Sequence, residues 1–184
     1  MNRPPTAHPW VLSFWRVPCW LALVVLGLDQ WTKFLVDRAW PQGTSQPPVT
    51  LIPGFFSLVH YRNKGAAWGI LSNHTFLLAL VSLVVFVAMV AYFRRLTEDV
   101  PERALALGVV LGGVAGNLLD RLFREGVVDF LLFYWRDWRT HSFPAFNVAD
   151  SAITCGIAVY IVSSFLRGDL SPDMRPKAVP DSDA

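Results

Sequence analysis

Charge is scarce in this sequence. Only 16% of its 184 residues are Asp, Glu, Lys or Arg, against 53% hydrophobic, and the mean hydropathy is +0.39. That is too apolar for an ordinary soluble domain and points to a membrane protein. The net charge of +2 is nearly neutral, so the basic footprint of a nucleic-acid partner is missing. Cysteine is almost absent. Cys19 and Cys155 both lie in apolar runs, outside any metal-ligand spacing, and are expected to be small lipid- or core-facing residues. The four histidines, His8, His60, His74 and His141, are scattered through connecting segments. No serine–histidine–aspartate set is evident, Ser151 beside Asp150 has no evident base, and no metal pattern appears, so no cofactor is expected. Aromatic residues, in contrast, are plentiful: 8 Trp and 13 Phe suit belts at lipid headgroups.

In chain order, residues 1–14 are polar and proline-containing and are expected to be a disordered, cytoplasmic N-terminus. A first span is expected over about 15–36; its apolar run continues past Asp29 and Lys33 and no cleavage site follows, so it is read as retained. Asp29 and Lys33 stand four apart on one helix face, either as an ion pair that tunes helix depth or as a support for a site. Residues 37–73 form a β-rich loop: Val49–Ile52, Phe55–Tyr61 and Trp68–Leu71 are β-forming runs punctuated by Pro53-Gly54 and Gly65, and read as a small sheet on the membrane surface. Within it, Asn63 to Gly69 is either a plain hairpin connection or a place where a ligand backbone approaches. Further spans are expected at about 75–93, 104–123 and 147–166, with a polar loop at 94–103 and a disordered, cytoplasmic tail at 167–184. Gly108, Gly112 and Gly116 repeat every four residues, which lets another helix approach closely. Four spans put both termini on one side. Lys and Arg number eight on that side and seven on the other, so only Arg94 and Arg95, abutting a span, favour cytoplasmic termini.

With that topology the unusual polar residues gather at one interface. Asp29 and Lys33 are near the outer end of the first span, Asn117, Asp120 and Arg121 near that of the third, and Asp129 just beyond it. Asn147 and Asp150 lie in the first turn of the fourth, and Asn63 in the outer loop. Ionisable groups at such depth are costly and mark function. Asn147 is equally well suited to be only a helix N-cap. Two aspartates in a partly dry site share a proton, one acting as base toward water and the other as acid toward a carbonyl or leaving amine, which is aspartic-protease chemistry. Carboxylates in membranes also relay ions, so a proton- or ion-coupled transporter competes, although the polar groups avoid the midplane and no internal repeat is evident. A non-catalytic scaffold would need no paired aspartates.

Four motifs go further. Asp29-Gln30-Trp31-Thr32-Lys33 and Asn63-Lys64-Gly65-Ala66-Ala67-Trp68-Gly69 come first. Gly112-Gly113-Val114-Ala115-Gly116-Asn117-Leu118-Leu119-Asp120-Arg121 follows, leading to Val127-Val128-Asp129-Phe130, and Phe143-Pro144-Ala145-Phe146-Asn147-Val148-Ala149-Asp150 closes the set. In this order, across Trp15 to Leu166, the chain resembles the lipoprotein signal peptidases (signal peptidase II), bacterial membrane aspartic proteases. The resemblance implies four transmembrane helices with a small extracytoplasmic sheet and an interfacial helix. It implies a catalytic pair at Asp129 and Asp150, supported by Asp29, Lys33, Asn63, Asn117, Asp120, Arg121 and Asn147. It implies cleavage of a prolipoprotein just before its diacylglyceryl-modified cysteine, in the bacterial cytoplasmic membrane, with the site near the extracytoplasmic face. The expected partners are prolipoprotein substrates and membrane lipids, and a monomer is expected. The extra charge and Trp between Leu131 and Ser142 are expected to alter how the site is covered rather than its chemistry.

Overall fold

A computed structural model describes residues 9–40, 49–65, 74–124 and 126–167. The elements are α1 (Pro9–Ala39), β1 (Val49–Ile52), β2 (Phe56–Asn63), α2 (Thr75–Ala91), α3 (Phe93–Thr97), α4 (Pro101–Phe123), β3 (Val127–Phe133) and α5 (Val148–Leu166). The fold is mostly helical with one small sheet. Among the described residues, three segments are long and apolar enough to cross a membrane: 16–39, 101–123 and 148–166. The apolar α2, at 17 residues, is shorter than these.

The helix boundaries correct the sequence reading in three places. α1 takes in residues 9–14, where the composition predicts an unstructured terminus; Pro9 opens the helix, where its missing N–H costs nothing. α4 begins at Pro101 for the same reason, with Pro in the first turn and Glu102 beside the positive helix end. The segment between α2 and α4 is not simply a loop, since Phe93–Thr97 forms the short α3, with Phe93 buried against Ala104, Leu107 and Leu111 of α4.

α4 is the centre of the bundle and packs on α1, α5 and α2. Its glycines explain how. A Cβ on Gly108 would lie 2.5 Å from the Pro18 carbonyl oxygen, and one on Gly112 2.5 Å from that of Ala22. The same ridge ends at Gly116, where a Cβ would strike the Asp29 carboxylate. All three therefore face α1. Gly113 points to α5 instead, where a Cβ would lie 2.6 Å from the Ala149 carbonyl oxygen. Lipid tails give helices no hydrophobic reason to associate, so close backbone approach supplies the contact. Trp20, Leu23, Val24 and Leu28 of α1, Val84 and Val87 of α2, and Ile161, Val162 and Phe165 of α5 remain exposed, as suits a lipid-facing perimeter.

The sheet order is β1-β2-β3, both pairs antiparallel. Gly54, at φ 74°, turns the chain between β1 and β2. β1 is where the sequence placed it, and β2 starts one residue later and runs on to Asn63. The third strand, however, is Val127–Phe133, where the sequence shows only a motif with an apolar run after it. The run Trp68–Leu71, read as a strand, lies outside the described residues, as do 1–8 and the tail from 168 onward. The interfacial helix is not found among the described residues of the connecting segments. The sheet docks on the end of the bundle through Val36 of α1 with Val128 and Phe130 of β3, and Trp40 and Leu58 pack beside them. β2 pairs Tyr61 with Asp129 and Asn63 with Val127, so the sheet itself sets Asn63 beside Asp129.

Candidate active site

The polar residues of five elements, α1, β2, α4, β3 and α5, meet where the sheet joins the bundle. Lys33 of α1 is fully buried between two fully buried carboxylates, 2.8 Å from Asp29 Oδ2 and 2.8 Å from Asp120 Oδ2. Its ammonium also donates to Asn117 Oδ1 at 2.9 Å. Three donors meet three oxygens, so no N–H of the buried ammonium is left without a partner. The remaining carboxylate lone pairs are also used. Asp29 Oδ1 accepts from the Ala149 N–H at 3.0 Å, tying α1 to α5. Asp120 Oδ2 accepts from the Val128 N–H at 3.2 Å, and Oδ1 from Arg124 Nη1 at 2.7 Å and Gln30 Nε2 at 3.1 Å. This is more than a snorkelling pair: Asp29 and Lys33 lock α1 to α4 and α5.

Because Lys33 holds Asn117 Oδ1, the amide of Asn117 turns its nitrogen outward, and Nδ2 donates to Asp150 Oδ1 at 2.7 Å. Asn63 is oriented in the same manner. Its Oδ1 accepts from the Gly65 N–H at 2.9 Å, so its Nδ2 donates to Asp129 Oδ2 at 3.1 Å. Asn147 is both N-cap and site residue. Its Oδ1 accepts from the Asp150 N–H at 3.0 Å, while its own N–H donates to Asp150 Oδ2 at 3.2 Å, closing a capping box at the start of α5. Its Nδ2 donates to Asp129 Oδ1 at 2.8 Å, with Asn117 Oδ1 and the Val128 carbonyl each at 3.3 Å. One buried amide thus touches both Asp129 and Asp150.

Asp129 and Asp150 line a cavity of about 550 Å³ with Asn63, Asn117, Arg121, Phe143, Phe146 and Ser151. Asp129 is 3% exposed. Burial pushes its carboxyl up to about 7, and the neighbouring charge of Asp150 pushes the same way, against the hydrogen bonds from Asn63 and Asn147. Asp150, in the first turn of α5, stands at the positive end of that helix. Arg121 reaches the cavity wall, but its Nη1 donates back to the Asn117 carbonyl at 3.2 Å rather than across the bundle. Asp120 pairs with Lys33 and Arg124, not with the adjacent Arg121. The two aromatic cavity residues belong to a packed row. Phe146 stacks on Phe133 at 5.8 Å and meets Phe143 edge-on at 6.0 Å, and Phe133 stacks on Phe56 at 4.7 Å. Among the described residues, no group of three or more His, Cys, Asp or Glu is arranged to hold a metal ion.

All nine residues singled out from the sequence fall in or next to this cluster. Four partners were missed. Gln30 and Arg124 bind Asp120, and Asp37 and Arg62 stand behind Arg124. Only Arg124, one helical turn after Asp120, left a trace in the spacing.

Comparison with known proteins agrees with this architecture. A family model described as signal peptidase (SPase) II matches residues 21–166. The lipoprotein signal peptidase of Geobacillus kaustophilus is 44% identical over 146 residues, covering 79% of this chain and 91% of that protein. That of Anoxybacillus flavithermus is 44% identical over 142 residues, covering 77% of this chain and 81% of that protein. A solved bacterial membrane enzyme structure aligns with a TM-score of 0.72 at 28% identity, covering 87% of this chain and 93% of that one. A second aligns with a TM-score of 0.66 at 29% identity, covering 79% of this chain and 90% of that one. The chain is a multi-pass membrane protein, and it belongs to the signal peptidase II family.

Proposed function

We propose that this chain is a membrane aspartic endopeptidase that removes the signal peptide from prolipoproteins, cutting before the diacylglyceryl-modified cysteine. The observation that carries this reading is the placement of Asp129 and Asp150 on one cavity, both held by Asn147. Family membership and relatives named lipoprotein signal peptidase support the substrate class.

The chemistry needs one proton between the two carboxyls. Asp129, at about 7, carries it near neutral pH. Asp150 takes a proton from water as the water oxygen attacks the scissile carbonyl carbon, and Asp129 gives its proton to the carbonyl oxygen. The resulting diol collapses. A proton passes from Asp150 to the leaving nitrogen, the C–N bond breaks, and Asp129 recovers its proton. The products are a signal-peptide carboxyl and a free amino group on the lipidated cysteine. Asn63, Asn117 and Asn147 aim the two carboxyls, and Asp29, Lys33 and Asp120 hold the helices beneath them.

In this reading α2 is a fourth span, both termini are cytoplasmic, and the enzyme acts as a monomer in the bacterial cytoplasmic membrane. The sheet and the segment 131–142 then lie on the extracytoplasmic side, among lipid headgroups. A signal helix lying in the bilayer beside the bundle delivers its scissile bond to the cavity, and holding it there supplies part of the rate.

The test is cleavage of a purified diacylglyceryl-modified prolipoprotein in detergent, with a metal chelator present. Wild type is expected to cleave, and Asp129→Asn and Asp150→Asn to be inactive while remaining folded. No cleavage by folded wild type, or retained activity in either variant, would overturn the assignment.

A further inference from the structure

Four residues outside every motif above meet at the junction of α1, β2 and the end of α4. Asp37, in the last turn of α1, is the common partner. Its Oδ1 accepts from Arg62 Nη2 at 3.0 Å and lies 3.1 Å from His60 Nε2, while its Oδ2 faces Arg124 Nε at 3.6 Å. Arg62 Nη1 donates to the Arg124 carbonyl at 2.5 Å, and His60 Nδ1 lies 2.7 Å from the Trp40 carbonyl oxygen. All four side chains are largely buried, so the group is a network rather than a lone surface pair.

Both arms of this network end beside Asp129. Arg62 is the residue before Asn63, which donates to Asp129 Oδ2. Arg124 donates to Asp120, whose other oxygen accepts from the backbone N–H of Val128, the residue before Asp129. Arg62 and Val128 are also paired across β2 and β3. The strand that carries Asn63 and the helix end that carries Asp120 are thus joined through one carboxylate on α1.

We propose that Asp37 is a positioning residue for the peptidase site, fixing Asn63 and the start of β3 so that the Asp129 carboxyl faces its partner. The proposal rests on the peptidase reading given above. Asp37 touches neither substrate nor the reacting atoms. Its two oxygens serve opposite arms, so an amide in its place satisfies only one: whichever way Asn turned, an NH2 group would face a donor.

The experiment compares wild type, Asp37→Asn and Asp37→Glu in cleavage of the diacylglyceryl-modified prolipoprotein, with kcat, KM, the pH profile and Tm recorded for each. For Asp37→Asn, kcat is expected to fall on the order of 10- to 100-fold, with KM within about twofold of wild type, as for a small misplacement of a reacting group. The basic limb of the profile moves to higher pH, because the Asn63 hydrogen bond that restrains the Asp129 carboxyl slackens. Asp37→Glu, which keeps both oxygens, regains most of the rate. Arg62→Lys, which keeps the charge and loses one arm, is read by the same profile should Asp37→Asn fail to fold. An unchanged kcat and profile overturns the positioning role. So does a loss of rate matched by the loss of folded protein, with the profile in place. Cleavage by wild type beside an unaltered variant strikes the positioning role alone, whereas no cleavage by folded wild type overturns both readings.

Discussion

Lys33 never touches Asp150, yet it decides what Asp150 meets. Its ammonium takes the oxygen of Asn117 at 2.9 Å, and the other end of that amide is thereby turned to donate to Asp150 at 2.7 Å. A charge buried for structural reasons thus orients a group in the site.

Lys33→Met should therefore lower both stability and activity. It leaves the Asp29 carboxylate without a counter-charge at 0% exposure and Asp120 with Arg124 alone, a loss of about 3–5 kcal/mol when one partner of a buried pair is removed. Adding Asp29→Asn to Lys33→Met should restore part of the stability, because the stranded charge is gone. Thermal unfolding of the two single variants and the double variant measures the coupling. Strictly additive losses would show that Lys33 and Asp29 are not one unit.

Asn147→Ser separates the two duties of Asn147. A serine oxygen still caps α5, so stability should stay within about 1 kcal/mol of wild type. The Nδ2 bond to Asp129 is lost, so kcat should fall on the order of 100-fold. Activity near wild type would mean that Asn147 is only a cap.

Two glycines make a matched pair. A Cβ on Gly116 would run into the Asp29 carboxylate, whereas one on Gly27 meets nothing within 4 Å. Gly116→Ala should destabilise and cut activity, since it pushes α1 and α4 apart at the buried lysine. Gly27→Ala should be neutral or stabilising by up to about 1 kcal/mol, the gain of Ala over Gly in a helix. Equal Tm values for the two variants would contradict the packing described here.

Protonation of Asp129 carries a signature in stability as well as rate. Its carboxyl ionises near 3.8 in the unfolded chain and at about 7 in the folded protein, so the folded protein holds a proton that unfolding releases. Its contribution favours folding fully below about pH 4, is lost progressively as the pH rises to about 7, and is constant above that. The Tm difference between Asp129→Asn and wild type should therefore shift in favour of the variant across that window and then level off. The rate of wild type should fall as the pH rises through about 7, where the shared proton leaves. A Tm difference that does not change with pH would place the proton elsewhere.

Much of this protein was legible in its sequence. Long apolar runs interrupted by a few polar residues show where helices lie, because burying a charge in lipid is costly enough that each one left in place marks a purpose. Local spacing also put Asn117 with Asp120, and Asn147 with Asp150, on shared helix faces. What stayed hidden was pairing between distant segments. β3 reads as an apolar run, because a strand buried on both faces lacks the alternation that reveals strands. That Lys33 joins Asp120 rather than serving only Asp29, that Asp120 passes over its neighbour Arg121 for Arg124, and that Asp37 gathers Arg62 and Arg124 are matters of geometry between elements. The amino-acid sequence by itself determined which groups are too polar for their surroundings. Only the tertiary structure decided which partner makes each of them tolerable, because a hydrogen bond depends on a few tenths of an ångström and on direction, neither of which spacing along a chain specifies.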